Sequence, residues 1–279
     1  MSSLSEKNIS PLFDMHVHTK RSLDSDADIN SVAEAARALG LCGFAVTDHY
    51  NVVGGEVDEL ARISASASEA KEAAIKYSGT MEILAGIEIG ESIYSAKKTR
   101  AALDCAEFDV ILASVHCPLF EGRHVRMHTE DFSALTTAKI HEFIENYFDE
   151  CLKTVSSQNC DVFAHLTLPF RYVNSKYKLG IDIKPYMSLI DEILRVMINR
   201  SIALEINTSG FESGGFFMPD RKVIERYKEL GGELVTLGSD AHTPERIGSG
   251  LFAGAALLRE VGFTHCYYFK KRKPVPYLL

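Results

Sequence analysis

The run Asp14-Met15-His16-Val17-His18 sets two histidines two residues apart at the end of an apolar stretch. On an extended strand such residues face one side, so both imidazoles can aim at one point, as a metal site requires. One His-x-His pair is weak evidence, but the chain repeats the theme downstream with Asp24, Asp48-His49, Glu88, His116, Ala164-His165, Glu205-Ile206-Asn207 and Ser239-Asp240-Ala241-His242. Six of the ten histidines (His16, His18, His49, His116, His165, His242) fall in this set beside three carboxylates, Asp24, Glu88 and Asp240. A single ion takes three or four such ligands, so nine candidates imply two or three divalent ions, with a carboxylate such as Glu88 able to bridge a pair. Mixed imidazole and carboxylate donors accept zinc, manganese or iron. Clustered divalent ions can lower the pKa of a bound water towards about 7 and so make hydroxide available at neutral pH.

Seven short apolar runs must position these groups: 12–17, 43–47, 83–89, 110–115, 162–164, 202–206 and 234–237. They alternate with helical patterns over 31–39, 56–77, 132–155, 182–200, 220–230 and 248–261, an order that predicts parallel strands joined by helices. Runs apolar throughout suit strands covered on both faces, and seven of them fit a closed α/β barrel better than an open sheet. Each candidate group stands where a strand hands over to its loop. In a parallel barrel those ends converge on one rim, together with the irregular stretches 118–131, 170–180 and 208–219. A structural role is the plain alternative for any one strand-end histidine, but it does not explain the same residue type at strand end after strand end. No linker or repeat divides the chain, so one domain over 1–279 is expected.

At 46% hydrophobic residues, the chain can bury a large core. Its net charge of −8 offers no basic face for nucleic acid, which is not expected as a partner. No stretch approaches a membrane span and the start, 1–10, is polar, so a soluble, cytoplasmic protein is expected. Six cysteines without a Cys-x-x-Cys pair read as reduced, mostly buried thiols, Cys117 beside His116 included. His124, His128, His141 and His265 fall outside the strand-end pattern; the first two share a rim loop with Arg123 and Arg126, where substrate contact is open to them.

On these residues the chain resembles the polymerase and histidinol phosphatase (PHP) family of metal-dependent phosphoesterases. Four motifs occur in order: Asp14-Met15-His16-Val17-His18-Thr19; Thr47-Asp48-His49; Gly86-Ile87-Glu88-Ile89 with Ser114-Val115-His116; and Gly238-Ser239-Asp240-Ala241-His242. Within the family the histidinol-phosphate phosphatases are most similar, through the segments 161–166, 204–210, 239–245 and 268–274. The resemblance implies a distorted, TIM-like (β/α)7 barrel with a trinuclear centre. His16, His18, Glu88 and Asp240 would hold one ion, Glu88, His116 and His165 a second, and Asp24, His49 and His242 a third. Arg171, in Leu168-Pro169-Phe170-Arg171-Tyr172, matches the family's phosphate-binding position, with Arg246 a second candidate for substrate contact; Asp240 and His242 are candidates to assist the leaving alkoxide.

The activity implied is hydrolysis of L-histidinol phosphate in histidine biosynthesis. Two departures from the family pattern bear on it. Asp24 is followed by Ser25-Asp26 rather than by Asp-Gly, leaving Asp24 and Asp26 both in play, and Phe211-Glu212-Ser213 stands where relatives tend to carry a basic residue. The second keeps open a different small phosphate ester or a nucleotide. A non-catalytic metal-binding regulatory module would lack ligands, whereas all nine positions are filled. Glu121 and Glu212 are offered as acceptors for the substrate's amine and imidazole, and Glu205 and Asn207 as ties for the rim loop, outside the ligand set. Oligomeric state has no signal in the sequence.

Overall fold

All seven apolar runs are strands in the structure, a computed structural model that describes residues 12–54 and 58–279. The polar start 1–10 and the first two residues of the expected helix 56–77 lie outside the described residues. The described strands are β1 (Phe13–Val17), β2 (Gly43–Val46), β3 (His49–Asn51), β4 (Glu82–Gly90), β5 (Val110–Ser114), β6 (Leu119–Phe120), β7 (Arg123–His124), β8 (Val162–Phe163), β9 (Ala203–Asn207), β10 (Val235–Gly238), β11 (His265–Lys270) and β12 (Lys273–Leu278). Seven of them pair in parallel in the order β1-β2-β4-β5-β8-β9-β10, and β3 extends the pairing along the far half of β4. The helices are α1 (Ile29–Ala38), α2 (Glu59–Lys76), α3 (Ala96–Asp104), α4 (Thr137–Ser157), α5 (Leu168–Phe170), α6 (Met187–Asn199), α7 (Phe211–Gly214), α8 (Arg221–Glu229) and α9 (Leu251–Val261). α4 shows why they cover the sheet: Ile140, Phe143, Ile144, Tyr147, Phe148 and Cys151 recur at helical spacing and are all buried.

Strand alternation divides the core into two layers. Phe13, Met15, Ala45, Leu84, Val110, Leu112, Val162, Ala164 and Ala203 pack together inside the ring, while their strand neighbours face the helices. Glu88 continues the inward face of Leu84, and Glu205 that of Ala203. In β1 the phase changes. Asp14 pairs with Phe44 and Val17 with Val46, so three steps on one strand oppose two on the other. This bulge puts Val17 in the outer layer instead of on the Phe13 and Met15 face.

The ring closes between β10 and β1 with few backbone contacts. The Asp240 N–H donates to the His16 carbonyl and the His18 N–H to the Ala241 carbonyl, both at 2.8 Å. The fully buried Asp14 carboxylate supplies the rest, accepting the Ser239 N–H (2.8 Å), the Ser239 hydroxyl (2.5 Å) and the Gly248 N–H (2.9 Å).

Several features lie outside the sequence expectation, among them α3, β3, the short β6–β7 pair and α7. α5 runs into a π-helical turn, Arg171–Lys176, where an irregular stretch was expected. The antiparallel hairpin β11–β12 packs beneath the ring: Phe269 joins the inner cluster and Tyr268 stacks on Phe13 with centroids 4.7 Å apart. No described helix is long and apolar enough to cross a membrane.

Candidate metal centre

Every strand-end candidate from the sequence reaches one place, the rim formed by the carboxyl ends of the strands. Glu88, fully buried on β4, is its centre. Glu88 Oε1 lies 3.0 Å from His165 Nε2 and 3.2 Å from His116 Nε2; Oε2 lies 3.3 Å from His16 Nε2, 3.6 Å from His18 Nε2 and 2.8 Å from His49 Nδ1. Asp240 Oδ1 is 3.3 Å from His18 Nε2 and 3.7 Å from His16 Nε2. On the outer side Asp24 and Asp26 are both exposed, but it is Asp24 whose Oδ2 lies 3.3 Å from His242 Nε2 and 3.4 Å from His49 Nε2.

These separations fit donors around cations. Ligands about 2.1 Å from a tetrahedral ion are about 3.4 Å from one another, the range seen throughout the cluster. Imidazole nitrogens also face each other, His16 Nε2 to His18 Nε2 at 3.0 Å and His116 Nε2 to His165 Nε2 at 3.2 Å. His49 Nδ1, though 2.8 Å from Glu88 Oε2, is outside hydrogen-bonding alignment, as expected of two lone pairs aimed at a shared centre rather than at each other. Groups of three with donor atoms within 4.8 Å of one another are His16-His18-Glu88, His49-Glu88-His116 and His18-His49-His242. These overlap, so the donors form one continuous patch rather than three isolated pockets.

Electrostatics without cations show the same frustration. Burial raises the cost of ionising Glu88, yet His49, His116 and His16 outweigh it and hold the carboxyl well below its usual range. Burial works against charge on His16 too, but Glu205, Glu88 and Asp240 push its pKa well above normal. Burial, with His49 and His242 nearby, drives His18 well below normal. A divalent cation would replace this patchwork with one consistent state of neutral imidazoles and ionised carboxylates facing it.

Several ring orientations are fixed from behind. The His16 Nδ1–H donates to Glu205 Oε1 at 2.6 Å, and His242 Nδ1–H to the Asp240 carbonyl at 2.9 Å. The His18 Nδ1–H donates to Ser22 Oγ at 3.2 Å, whose own hydroxyl donates to the buried Asp48 at 2.9 Å. Asp48 also accepts from Thr19 and Ser66. Glu205 and Asp48 are thus the functional residues the sequence underrated. Both stood in strand-end clusters, but their work is to hold ligands. Glu205 has room only because residue 238 is glycine, since a Cβ there would strike Glu205 Oε1 and sit 2.6 Å from His16 Cβ. Gly238→Ala should therefore weaken metal binding by about 10- to 100-fold in a chelator competition while the protein stays folded. Unchanged affinity would mean that Glu205 can retreat without moving His16.

The centre opens into a cavity of about 470 Å³, in the range for small-molecule sites. Arg171 lines it, carried by the π-helical turn and donating to Ser209 Oγ at 3.2 Å. His128 and Arg126 line it too, as does the buried Glu59, which the sequence did not single out. Arg246 does not; it forms an ion pair with Glu212, and Glu121 pairs with Lys139 at 2.7 Å. The two acids offered for the substrate's amine and imidazole are thus engaged elsewhere. His141 Nδ1 meets the Tyr186 hydroxyl at 2.5 Å, and His124 Nδ1–H donates to the Cys117 carbonyl at 2.9 Å.

Residues 14–209 match the PHP domain. Among curated relatives, the chain is 30% identical over 267 residues to a "probable histidinol-phosphatase" of Clostridium acetobutylicum, covering 94% of this chain and 98% of that one. It is 28% identical over 260 residues to a "probable histidinol-phosphatase" of Thermotoga maritima, covering 91% and 94%. Among solved structures, histidinol phosphate phosphatase from Lactococcus lactis, complexed with zinc, L-histidinol and phosphate, superposes with a TM-score of 0.74 over 95% of this chain and 98% of that chain, at 23% identity. That likeness speaks to the fold.

Proposed function

The chain belongs to the PHP domain family, and from that premise we propose that it is a metal-dependent phosphomonoesterase hydrolysing L-histidinol phosphate to L-histidinol and inorganic phosphate. The observation that carries this reading is the convergence of six histidines and three carboxylates, with Glu88 at the centre and six of the nine lining one cavity, in a chain that runs nearly the full length of relatives named for this activity. The donor set would hold two or three divalent ions, zinc, manganese or iron, with Glu88 among the ligands of more than one. His16, His18 and Asp240 would complete the first, His116 and His165 the second, and Asp24, His49 and His242 would hold the third. Phosphate monoesters are among the slowest molecules to hydrolyse unaided, and bound divalent ions would supply the activated water and the charge neutralisation the reaction demands.

The chain's own residues do the rest. Arg171 offers a planar fork of donors to the phosphoryl oxygens at the cavity wall. The leaving alkoxide needs a proton. Burial lowers the pKa of His242, but Asp24 and Asp240 outweigh it and raise the pKa, whereas Asp240 is held well below the usual range despite its own burial, by His16 and His18. Asp240 and His242, which both line the cavity, are the two candidates to supply that proton. Arg246, tied to Glu212 outside the cavity lining, contributes to phosphate binding only if that pair opens.

The direct test is phosphate release from L-histidinol phosphate beside other small phosphomonoesters and a short oligonucleotide, by metal-reconstituted protein with and without chelator. Chelator-sensitive turnover that strongly prefers histidinol phosphate is expected. Better turnover of another ester would transfer the site to that substrate, and metal binding without any hydrolysis would make the chain a regulatory module. Arg171→Ala should lower kcat/KM by about 10- to 100-fold with metal content intact, since it removes hydrogen bonds to a charged group. A fully active variant would take the clamp out of the mechanism.

A further inference from the structure

Behind the metal-facing groups a line of side chains runs from the cavity wall to the centre, and every link has only one chemically allowed direction. Arg171, which can only donate, gives a hydrogen bond from Nη1 to Ser209 Oγ at 3.2 Å. The Ser209 hydroxyl donates to Asn207 Oδ1 at 2.7 Å, and the Ser209 N–H donates to the same oxygen at 3.1 Å. The other end of the amide faces acceptors only: Asn207 Nδ2 donates to Glu205 Oε2 at 3.2 Å and to Asp240 Oδ2 at 3.4 Å. These partners fix which end of the amide is oxygen and which is nitrogen. Glu205 in turn accepts the His16 Nδ1–H at 2.6 Å and the His165 N–H at 2.7 Å. Asn207 and Glu205 are fully buried and Ser209 nearly so, and the Asn207 backbone is pinned by reciprocal bonds with Met218, both at 3.0 Å.

We infer that Asn207 is a positioning residue that couples the phosphate-facing Arg171, through Ser209, to the carboxylates and histidines of the metal centre. A loop tie would need only the contact between its oxygen and Ser209. The nitrogen reaching two carboxylates, one behind His16 and one beside His18, gives this side chain its second task. The arginine and the cluster are thus set at one mutual spacing by a single amide, which matters where phosphate must meet both at once. What Arg171 does rests on the phosphatase reading, but the coupling itself is read by binding alone.

Two probes separate the two ends: zinc affinity of the metal-free protein by chelator competition, and inorganic phosphate affinity by titration at saturating zinc. Ser209→Ala should weaken phosphate by about tenfold and leave zinc affinity unchanged, with Ser209→Thr restoring it. Asn207→Ala should weaken both by about tenfold. The double variant should bind phosphate no worse than Asn207→Ala alone, because both changes break one chain. Circular dichroism checks folding, and Asn207→Ser replaces Asn207→Ala should that variant not fold. Parental phosphate affinity in Ser209→Ala, unchanged zinc affinity in the Asn207 variant, or additive losses in the double variant would each overturn the coupling. If the parent protein fails to hydrolyse histidinol phosphate while these shifts appear, the substrate assignment falls and the coupling stands.

Discussion

Glu88→Gln should reduce phosphate-ester turnover at least about a thousandfold, equivalent to about 4 kcal/mol of transition-state stabilisation. No other described side chain has comparable reach. Its two oxygens lie within 3.6 Å of nitrogens from five histidines carried by four separate segments of chain. Glutamine keeps the shape but removes the charge, and its NH2 group has no lone pair to offer a cation where a carboxylate oxygen stood. Metal content should fall in parallel, because glutamine would offer a carbonyl oxygen to only one side of the cluster whichever way the amide turns. Turnover measured together with metal analysis decides the matter. A variant within tenfold of the parent would show that the histidines hold their ions without a bridge.

Asp14→Ala should destabilise the fold by about 3–5 kcal/mol, seen as a thermal midpoint roughly 10 °C lower. The carboxylate does what backbone carbonyls do elsewhere in the ring. It accepts the buried Ser239 N–H and hydroxyl and the half-buried Gly248 N–H at the join between β10 and β1. Alanine leaves the two Ser239 donors buried without partners, and each such group costs about 1–3 kcal/mol. Because His16 and His18 stand on one side of the join and Asp240 and His242 on the other, weaker metal binding should accompany the lower midpoint. A midpoint within 2 °C of the parent would mean that water takes over as acceptor.

The barrel and its rim were legible because each parallel strand is an apolar run that ends in a His or a carboxylate, so the local pattern and the global fold agree. Asp24 was separable from Asp26 only in three dimensions, since both stand in the same acidic run and differ in whether they reach His49 and His242. The roles of Glu205 and Asp48 were hidden for a related reason. Sequence shows that a polar group stands at a strand end, but not whether it faces the cations or the back of a ligand. Arg246 and Glu212 are 34 positions apart, and nothing local announces that they neutralise each other. The hairpin β11–β12 escaped notice because its turn is made by Lys271 and Arg272, at φ 51° and 62°, in place of the Asn-Gly or Asp-Gly that marks such turns. Arg272 is held there by Asp161, and its N–H donates to the Asp109 carbonyl at 2.8 Å.

That hairpin also sets the order in which the molecule can be completed during synthesis. It follows all seven barrel strands in the chain, yet Phe269 belongs to the inner cluster and Tyr268 covers Phe13. A nascent chain that has already emerged from the ribosome through β10 therefore holds a ring whose interior is still open from below, with Phe13 and Met15 reachable by water or by another chain. At about 5–20 residues per second the wait is a matter of seconds, long enough for such an intermediate to meet a chaperone or a second nascent copy.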